Sequence, residues 1–441
     1  MGLVNLTPSR TIFALSSARG RAAIAVIRIS GPEAAHAIRS LGANVPVPGT
    51  ARLVNLRDPS DGRPLDQALV LFFAGPRSAT GEDVAELHVH GGRAVVSGML
   101  DALGRVSGLS PAEPGAFARQ AFANGKLDLT AAEGLADLID AETQLQRRQA
   151  LAQASGALAK IYAGWREQII GAMALMESAI DFSDESDVAE NAVAQARSAV
   201  GELRDGLAAH LADERRGEIL RDGFRVVLAG PVNAGKSTLL NWFAGRDAAI
   251  TSDEPGTTRD IIEVRLELGG LPVILSDTAG FRHAQGAVER EGIRRSQAAI
   301  DAADLVLWLT PSGTTAAEPA PENAVSVRTK TDLADETPEA GAKAISVHSG
   351  AGLEELQSFL AAEAQTRIGD VDAPMITQAR HRAHVSSALE HLEQFVSANP
   401  GDTELRAEDL RLAAGEVGRL TGVVDPEEVL GAIFSRFCIG K

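Results

Sequence analysis

Apolar residues along this chain change rhythm three times, and each rhythm predicts a different kind of structure. Over residues 1–124, short β-like runs at Ala22–Ile29, Ala68–Phe73 and Val84–Val89 are punctuated by Gly and Pro. Helical runs are predicted after Gly31-Pro32 and over Gly92–Leu103, which makes this stretch α+β. From about Leu127 glycine thins out, and Ala, Leu, Glu, Gln and Arg dominate. Leu158, Ile161, Tyr162, Trp165, Ile169, Met173, Met176 and Ile180 recur at helical steps, the stripe by which one long helix buries a face. A further helix is predicted over about 191–216. Between Gly223 and about Glu363, strand candidates alternate with helices: Phe224–Leu228, Ile261–Leu268, Val273–Ser276, Leu305–Leu309, Val325–Val327 and Ala344–Val347. Gly269-Gly270 joins two of them as a hairpin. Such alternation predicts a doubly wound α/β domain with an antiparallel edge. After about Asp370 the helical texture returns, near 376–398, 403–420 and 426–437. The expected fold class is multidomain α/β: an α+β domain at 1–124, a helical bundle from 125–217 and 370–441, and an α/β domain at 218–369 inserted into that bundle.

Composition narrows the function. No apolar run reaches the roughly 18 residues that span a bilayer. The opening MGLVNLTPSRTIF lacks a basic patch followed by a long apolar stretch, so no signal peptide is expected. The single cysteine, Cys438, cannot form an internal disulfide, which fits a reducing, cytoplasmic setting. A formal net charge of −17 opposes use of the whole surface as a nucleic-acid clamp, so any RNA contact needs a local patch or a basic partner. Only six of the 42 basic residues are lysine, and Lys126, Lys236, Lys330 and Lys441 among them fall inside the motifs below. A compact ammonium at these points is a choice against the arginine used elsewhere.

Gly230-Pro231-Val232-Asn233-Ala234-Gly235-Lys236-Ser237 fits G-x-x-x-x-G-K-[ST], with an apolar strand before it and a helix after it. Glycines let successive backbone N–H groups turn inward on phosphate. Lys236 is expected on the terminal phosphates and Ser237 on Mg²⁺, with Ala234, Gly235 and Thr238 completing the cradle. Asp277-Thr278-Ala279-Gly280 ends the next apolar strand, where a carboxylate can hold Mg²⁺ through water and a glycine can sense the γ-phosphate. Between them, Thr258 in Ser252–Asp260 is the candidate for a second hydroxyl on Mg²⁺. Thr329-Lys330-Thr331-Asp332 occupies the place where guanine-specific proteins carry Asn-Lys-x-Asp. Asp332 can accept from the guanine ring N–H and amino group, which adenine cannot match; Lys330 can lie along the base. Thr329 cannot reproduce an amide, so weaker affinity is expected, with guanine selectivity kept by Asp332. Ser346-Val347-His348 should supply backbone contact to the base.

Together with Cys438-Ile439-Gly440-Lys441 at the end, GPVNAGKS, SDEPGTTRD and DTAG resemble the tRNA-modifying GTPase MnmE (TrmE) family. Arg28-Ile29-Ser30-Gly31, Thr80-Gly81-Glu82-Asp83, His90-Gly91-Gly92, Asn124–Leu129 and Asp181-Phe182 extend the resemblance over essentially the whole chain. The resemblance implies a folate-binding, dimerising N-terminal domain, a helical domain and an inserted Ras-like GTPase domain. It implies a homodimer that works with the flavoprotein MnmG (GidA) to add an aminomethyl-type group to the wobble uridine of certain tRNAs. The one-carbon unit would come from a tetrahydrofolate derivative, with FAD belonging to the partner. By position, Arg28, Glu86, Lys126 and Lys441 match folate contacts, and Glu289 matches the catalytic glutamate. Asn233, Ser252, Glu254 and Thr257 match a K⁺ site that stimulates hydrolysis. Cys438 is a tempting nucleophile, but a lone cysteine near a chain end is more often inert. Two other readings stand beside this one: a ribosome-assembly GTPase that binds rRNA, and a scaffold that binds GTP and scarcely hydrolyses it. The first does not account for TGED, NGKLDL or CIGK; the second is motivated by Thr329 and Val347.

Overall fold

The computed structural model describes residues 10–441 except 183, 185, 214, 247–248, 251–262, 278–293, 295–296, 315–319, 334–341, 370–373, 400–401, 425–426, 436, 438 and 441. It separates into two compact units, one within Met1–Ala136, Gln153–Gly171 and Arg411–Lys441, the other within Asp137–Ala152 and Ala172–Leu410.

The first unit is built on a six-stranded sheet of β1 (Thr11–Leu15), β2 (Ile24–Ser30), β3 (Ala51–Arg57), β4 (Pro64–Phe73), β5 (Val84–His90) and β6 (Leu109–Pro111), in the order β3-β4-β5-β2-β1-β6. Neighbours are antiparallel except β1 and β6. Period-two alternation sends Ile27, Ile29, Leu87 and Val89 into the core, with Met99 and Leu103 of α2 (Arg93–Gly104) and Ala37 and Ile38 of α1 (Ala34–Ser40). The intervening Arg28, Glu86 and His88 share the other face, because register pairs Arg28 with Glu86. A smaller cluster joins Ala118 of α3 (Ala116–Ala123) and Leu129 and Ala132 of α4 (Leu129–Asp140) to Ile433 and Phe434 of a helix near the chain end. The last turn then reaches β1: Ser16 Oγ donates to Gly440 O at 2.9 Å.

Helices α5 (Gln144–Ala154), α6 (Ala157–Asp181), α7 (Ser186–Leu211) and α8 (Arg216–Asp222) follow. Along α6 the predicted stripe is real, with Leu158, Tyr162, Ile169 and Met176 fully buried. Each such side chain contributes roughly 1.5–3 kcal/mol. The helix expected over 191–216 starts earlier and ends at Leu211, and Arg215 adopts φ 66° just before α8 begins.

The second sheet comprises β7 (Phe224–Ala229), β8 (Glu263–Leu268), β9 (Leu271–Asp277), β10 (Leu305–Pro311), β11 (Ala324–Thr329) and β12 (Lys343–Ala344), ordered β12-β11-β10-β7-β9-β8. All pairs are parallel except β8 with β9, whose Gly269-Gly270 hairpin has φ of 62° and 82°, the two left-handed residues of a type I′ turn. Helices α9 (Lys236–Ala244) and α10 (Leu353–Ile368) bury Leu239, Leu240, Phe243, Leu356 and Leu360 against it. The chain closes with α11 (Ala379–Ser397), α12 (Thr403–Thr421) and α13 (Glu427–Ser435).

Where the chain passes into this sheet and out of it, an ionic knot forms. Arg382 of α11 donates to Asp213 Oδ1 at 2.6 Å, Glu218 Oε1 at 2.7 Å and Leu211 O at 3.1 Å, while Arg215 reaches Glu218 Oε2 at 2.8 Å. Burial alone would raise the Glu218 carboxyl, but the hydrogen bonds from Arg382 and Arg215 outweigh it and hold it below its ordinary value. Arg382→Ala leaves two largely buried carboxylates short of a counter-charge. The expected cost is about 2 kcal/mol, less than for a fully buried pair because the arginine keeps some solvent contact. The depressed Glu218 pKa places this stabilisation above the unfolded-state value and removes it as pH falls through the folded one. Wild type and variant should therefore differ in thermal stability at pH 7 and converge as pH falls below the ordinary glutamate range and through the lowered folded-state value. An equal gap at both pH values would show that packing, not charge, is what the arginine supplies.

Candidate functional site

The sheet order reverses at β7, which takes β9 on one side and β10 on the other, and ligands of such sheets bind beyond the carboxyl ends of the strands there. The phosphate-type loop lies at that point. Gly230 has φ 136°, and a Cβ on it would sit 2.2 Å from Leu309 O, so the loop leaves β7 along a path only glycine permits. Asn233 (φ 64°) and Gly235 (φ 92°) are also left-handed, so the loop winds into a cradle of inward backbone groups ending at the first turn of α9. Lys236 is buried, and its ammonium donates to Gly230 O and Pro231 O, each at 2.9 Å. Asn233, Ser237 and Thr238 are exposed, while Ala234 is in the core. Ser237 Oγ donates to Asp277 Oδ2 at 2.7 Å, so the hydroxyl and carboxylate read from separate motifs meet at one place. Two hard oxygens beside a phosphate cradle are donors of the kind Mg²⁺ takes in company with phosphate. Thr278, Ala279, Gly280, Ser252, Glu254, Thr257, Thr258 and Glu289 lie outside the described residues.

The base-reading loop starts where β11 ends. Thr329 is buried, and its hydroxyl donates to Ala234 O at 2.7 Å, fastening this loop to the phosphate loop. Lys330 takes φ 57°, which turns the chain into the short 3₁₀ turn Thr331–Leu333. Asp332 Oδ1 accepts from Ser346 Oγ at 2.6 Å, and that hydrogen bond foremost holds its carboxyl below the usual range. Ser346 Oγ in turn accepts from Ser349 N at 3.1 Å. The strand expected at Ala344–Val347 is cut to Lys343–Ala344 because Ser346 N turns to Ala351 O instead of a neighbouring strand. Val347 packs on the core and His348 is exposed. The side-chain role of Ser346 was missed from sequence; a serine inside the short run Ala344–Val347 reads as an ordinary strand residue.

In the first unit the family-type segments converge. Arg28 Nη2 pairs with Glu86 Oε1 at 2.9 Å, and Arg28 also lies over the Phe117 ring at 5.9 Å. Ser30 Oγ meets Thr80 Oγ1 at 2.7 Å, and Asn124 Nδ2 donates to Thr80 O and Glu82 Oε1. Lys126 is exposed just beyond Asn124. Cys438 and Lys441 lie outside the described residues.

The second sheet and its switch-point cradle have the form of a P-loop nucleotide-binding domain. The family descriptions "GTP-binding protein TrmE N-terminus" and "MnmE helical domain" match residues 11–126 and 129–438. A "tRNA modification GTPase MnmE" of Methylorubrum populi is 52% identical over 98% of this chain and 98% of its own length. One from a Methylobacterium species is 53% identical over 98% and 99%. The chain belongs to the tRNA modification GTPase MnmE family. Among the described residues no helix is long and apolar enough to cross a membrane.

Proposed function

We propose that this chain is a cytoplasmic, K⁺-stimulated GTPase whose turnover drives aminomethyl-type modification of the tRNA wobble uridine. It does so as a homodimer, together with a flavoprotein partner of the MnmG (GidA) type that carries FAD. The observation that carries the reading is the meeting of Lys236, Ser237 and Asp277 at the switch point of the sheet, within a chain that matches its relatives over 98% of its length. In this reading Lys236 leaves the carbonyls of Gly230 and Pro231 for the β- and γ-phosphates. Ser237 and Thr258 would hold Mg²⁺, with Asp277 acting through water; the ion neutralises charge developing on the phosphates. Asn233, Ser252, Glu254 and Thr257 would hold K⁺, adding positive charge where other GTPases use an arginine. Glu289 orients the attacking water. Asp332 reads the guanine, flanked by Lys330 and the Ser346–His348 backbone. The Arg28–Glu86 pair on the N-terminal sheet, joined in this reading by the family-matched Lys126 and Lys441, would offer cations for the glutamate tail of a tetrahydrofolate and an acceptor for the pterin.

The test is GTP turnover in KCl against NaCl, with and without the flavoprotein, on wild type and on Glu289→Ala. Turnover should rise with K⁺, and the variant should bind GTP normally, hydrolyse it roughly a hundredfold more slowly, and lower the modified-uridine content of cellular tRNA. Loss of affinity in the variant would make Glu289 structural. Slow hydrolysis with full modification would sever GTP turnover from tRNA chemistry.

A further inference from the structure

Thr329 departs from the amide expected at its place, and its surroundings say what that changes. A threonine hydroxyl carries one proton. Here that proton goes to Ala234 O at 2.7 Å, and the side chain is buried at 4% exposure, so the bond is sheltered from competing water. What remains on Oγ1 is lone pairs, which can only accept. The imidazole edge of a purine presents N7, itself an acceptor. A base whose other edge is held by Asp332 therefore meets, at position 329, a group with nothing to donate.

We propose that this protein reads guanine through Asp332 alone among its side chains and does not read N7, Thr329 serving as a positioning residue that ties the base loop to the phosphate loop. The inference rests on the guanine-nucleotide reading above and refines it. An asparagine at 329 would restore both tasks at once, since its amide has two protons, one for Ala234 O and one for N7. On the side of Gly235 the neighbourhood is open. Gly235 stands opposite, and even a Cβ built on that glycine would remain 3.9 Å from Thr329 Oγ1. Serine would keep the tether, and valine, nearly the same shape, would lose it and leave Ala234 O buried without this donor.

The experiment measures binding of GDP, 7-deaza-GDP and ADP to the full chain by calorimetry. Replacing N7 by C–H removes an acceptor and keeps the ring shape. Wild type should bind GDP and 7-deaza-GDP within twofold of one another. Thr329→Asn should bind GDP about fivefold more tightly and prefer it to 7-deaza-GDP by about the same factor, the size of one ordinary hydrogen bond. Thr329→Ser should behave as wild type, and Thr329→Val should weaken both nucleotides equally. A fivefold preference of the wild type for GDP over 7-deaza-GDP overturns the proposal, as does an asparagine variant that gains no discrimination. GDP bound no better than ADP would instead overturn the guanine reading itself, and this inference with it.

Discussion

Lys236→Ala is expected to lower GTP turnover by about 10³-fold, the scale of removing a preorganised cationic donor from a developing charge. The ammonium is already inside the loop, held by Gly230 O and Pro231 O with little exposure, so nucleotide meets a charge whose desolvation was met on folding. Truncation leaves two carbonyl oxygens facing the phosphates where a cation stood. Lys236→Arg should not rescue activity, because a planar fork cannot follow a site shaped around one ammonium between carbonyls 2.9 Å away. The helix that carries the lysine is anchored by Leu239, Leu240 and Phe243, so both variants should retain wild-type circular dichroism and melting. Turnover near wild type in the alanine variant would overturn the phosphate-loop assignment.

Asp332→Asn is expected to move preference from GTP toward XTP by about 10²-fold. Ser346 Oγ accepts from Ser349 N and donates to Asp332 Oδ1, and this chain fixes polarity at the base. In the variant the amide oxygen takes the serine proton, which turns the amide nitrogen to the base. Guanine then meets a donor with its own N–H and amino donors, while xanthine offers a carbonyl. Two bonds to a charged acceptor, each worth roughly 1.5–3 kcal/mol, support a change of that size. Ser346→Ala should blunt the switch, because either end of the amide can then face the base. Competition of GTP with XTP reads the outcome, and an unaltered GTP preference would mean that another residue reads the base.

Much of this was legible in the sequence where a local pattern carries the physics. The strands of the second sheet, the Gly269-Gly270 hairpin and the α6 stripe each follow from a period or a turn residue within a few positions. Strands β1 and β3 were not foreseen: TIFAL is short, and ARLVNLR lies at a sheet edge with its arginines and asparagine outward, so neither shows a clean alternation. The pairing of Ser237 with Asp277 follows from their motifs, since both were read as facing one ion. The Thr329–Ala234 tether, the Ser346–Asp332 bond and the Arg382 knot were not legible. Each joins residues distant in sequence whose types are ordinary for a turn or a solvated helix face, so only the fold brings them within reach. The one trace of the tether was that a threonine stood where an amide was expected.

The two crossings of chain at the base of the second sheet touch. A Cβ on Gly217 would lie 2.3 Å from Ile376 O, and one on Gly369 would lie 2.9 Å from the Arg216 guanidinium. A stretch of roughly 150 residues thus begins and ends at one spot, and closing a disordered loop of that length costs about 4 kcal/mol by the logarithmic chain-entropy law. If the second sheet folds first, it delivers α8 and α11 to each other already within bonding distance, and the helices around them inherit a short connection in place of a long one. On that route the spot where the stretch begins and ends sets the order of assembly, and the nucleotide-binding part would act as a staple for the helices on either side of it. Weakening its core by substitution at Leu228 or Phe243, neither of which is part of the Arg382 knot, should slow refolding of α7 against α11 as well as its own.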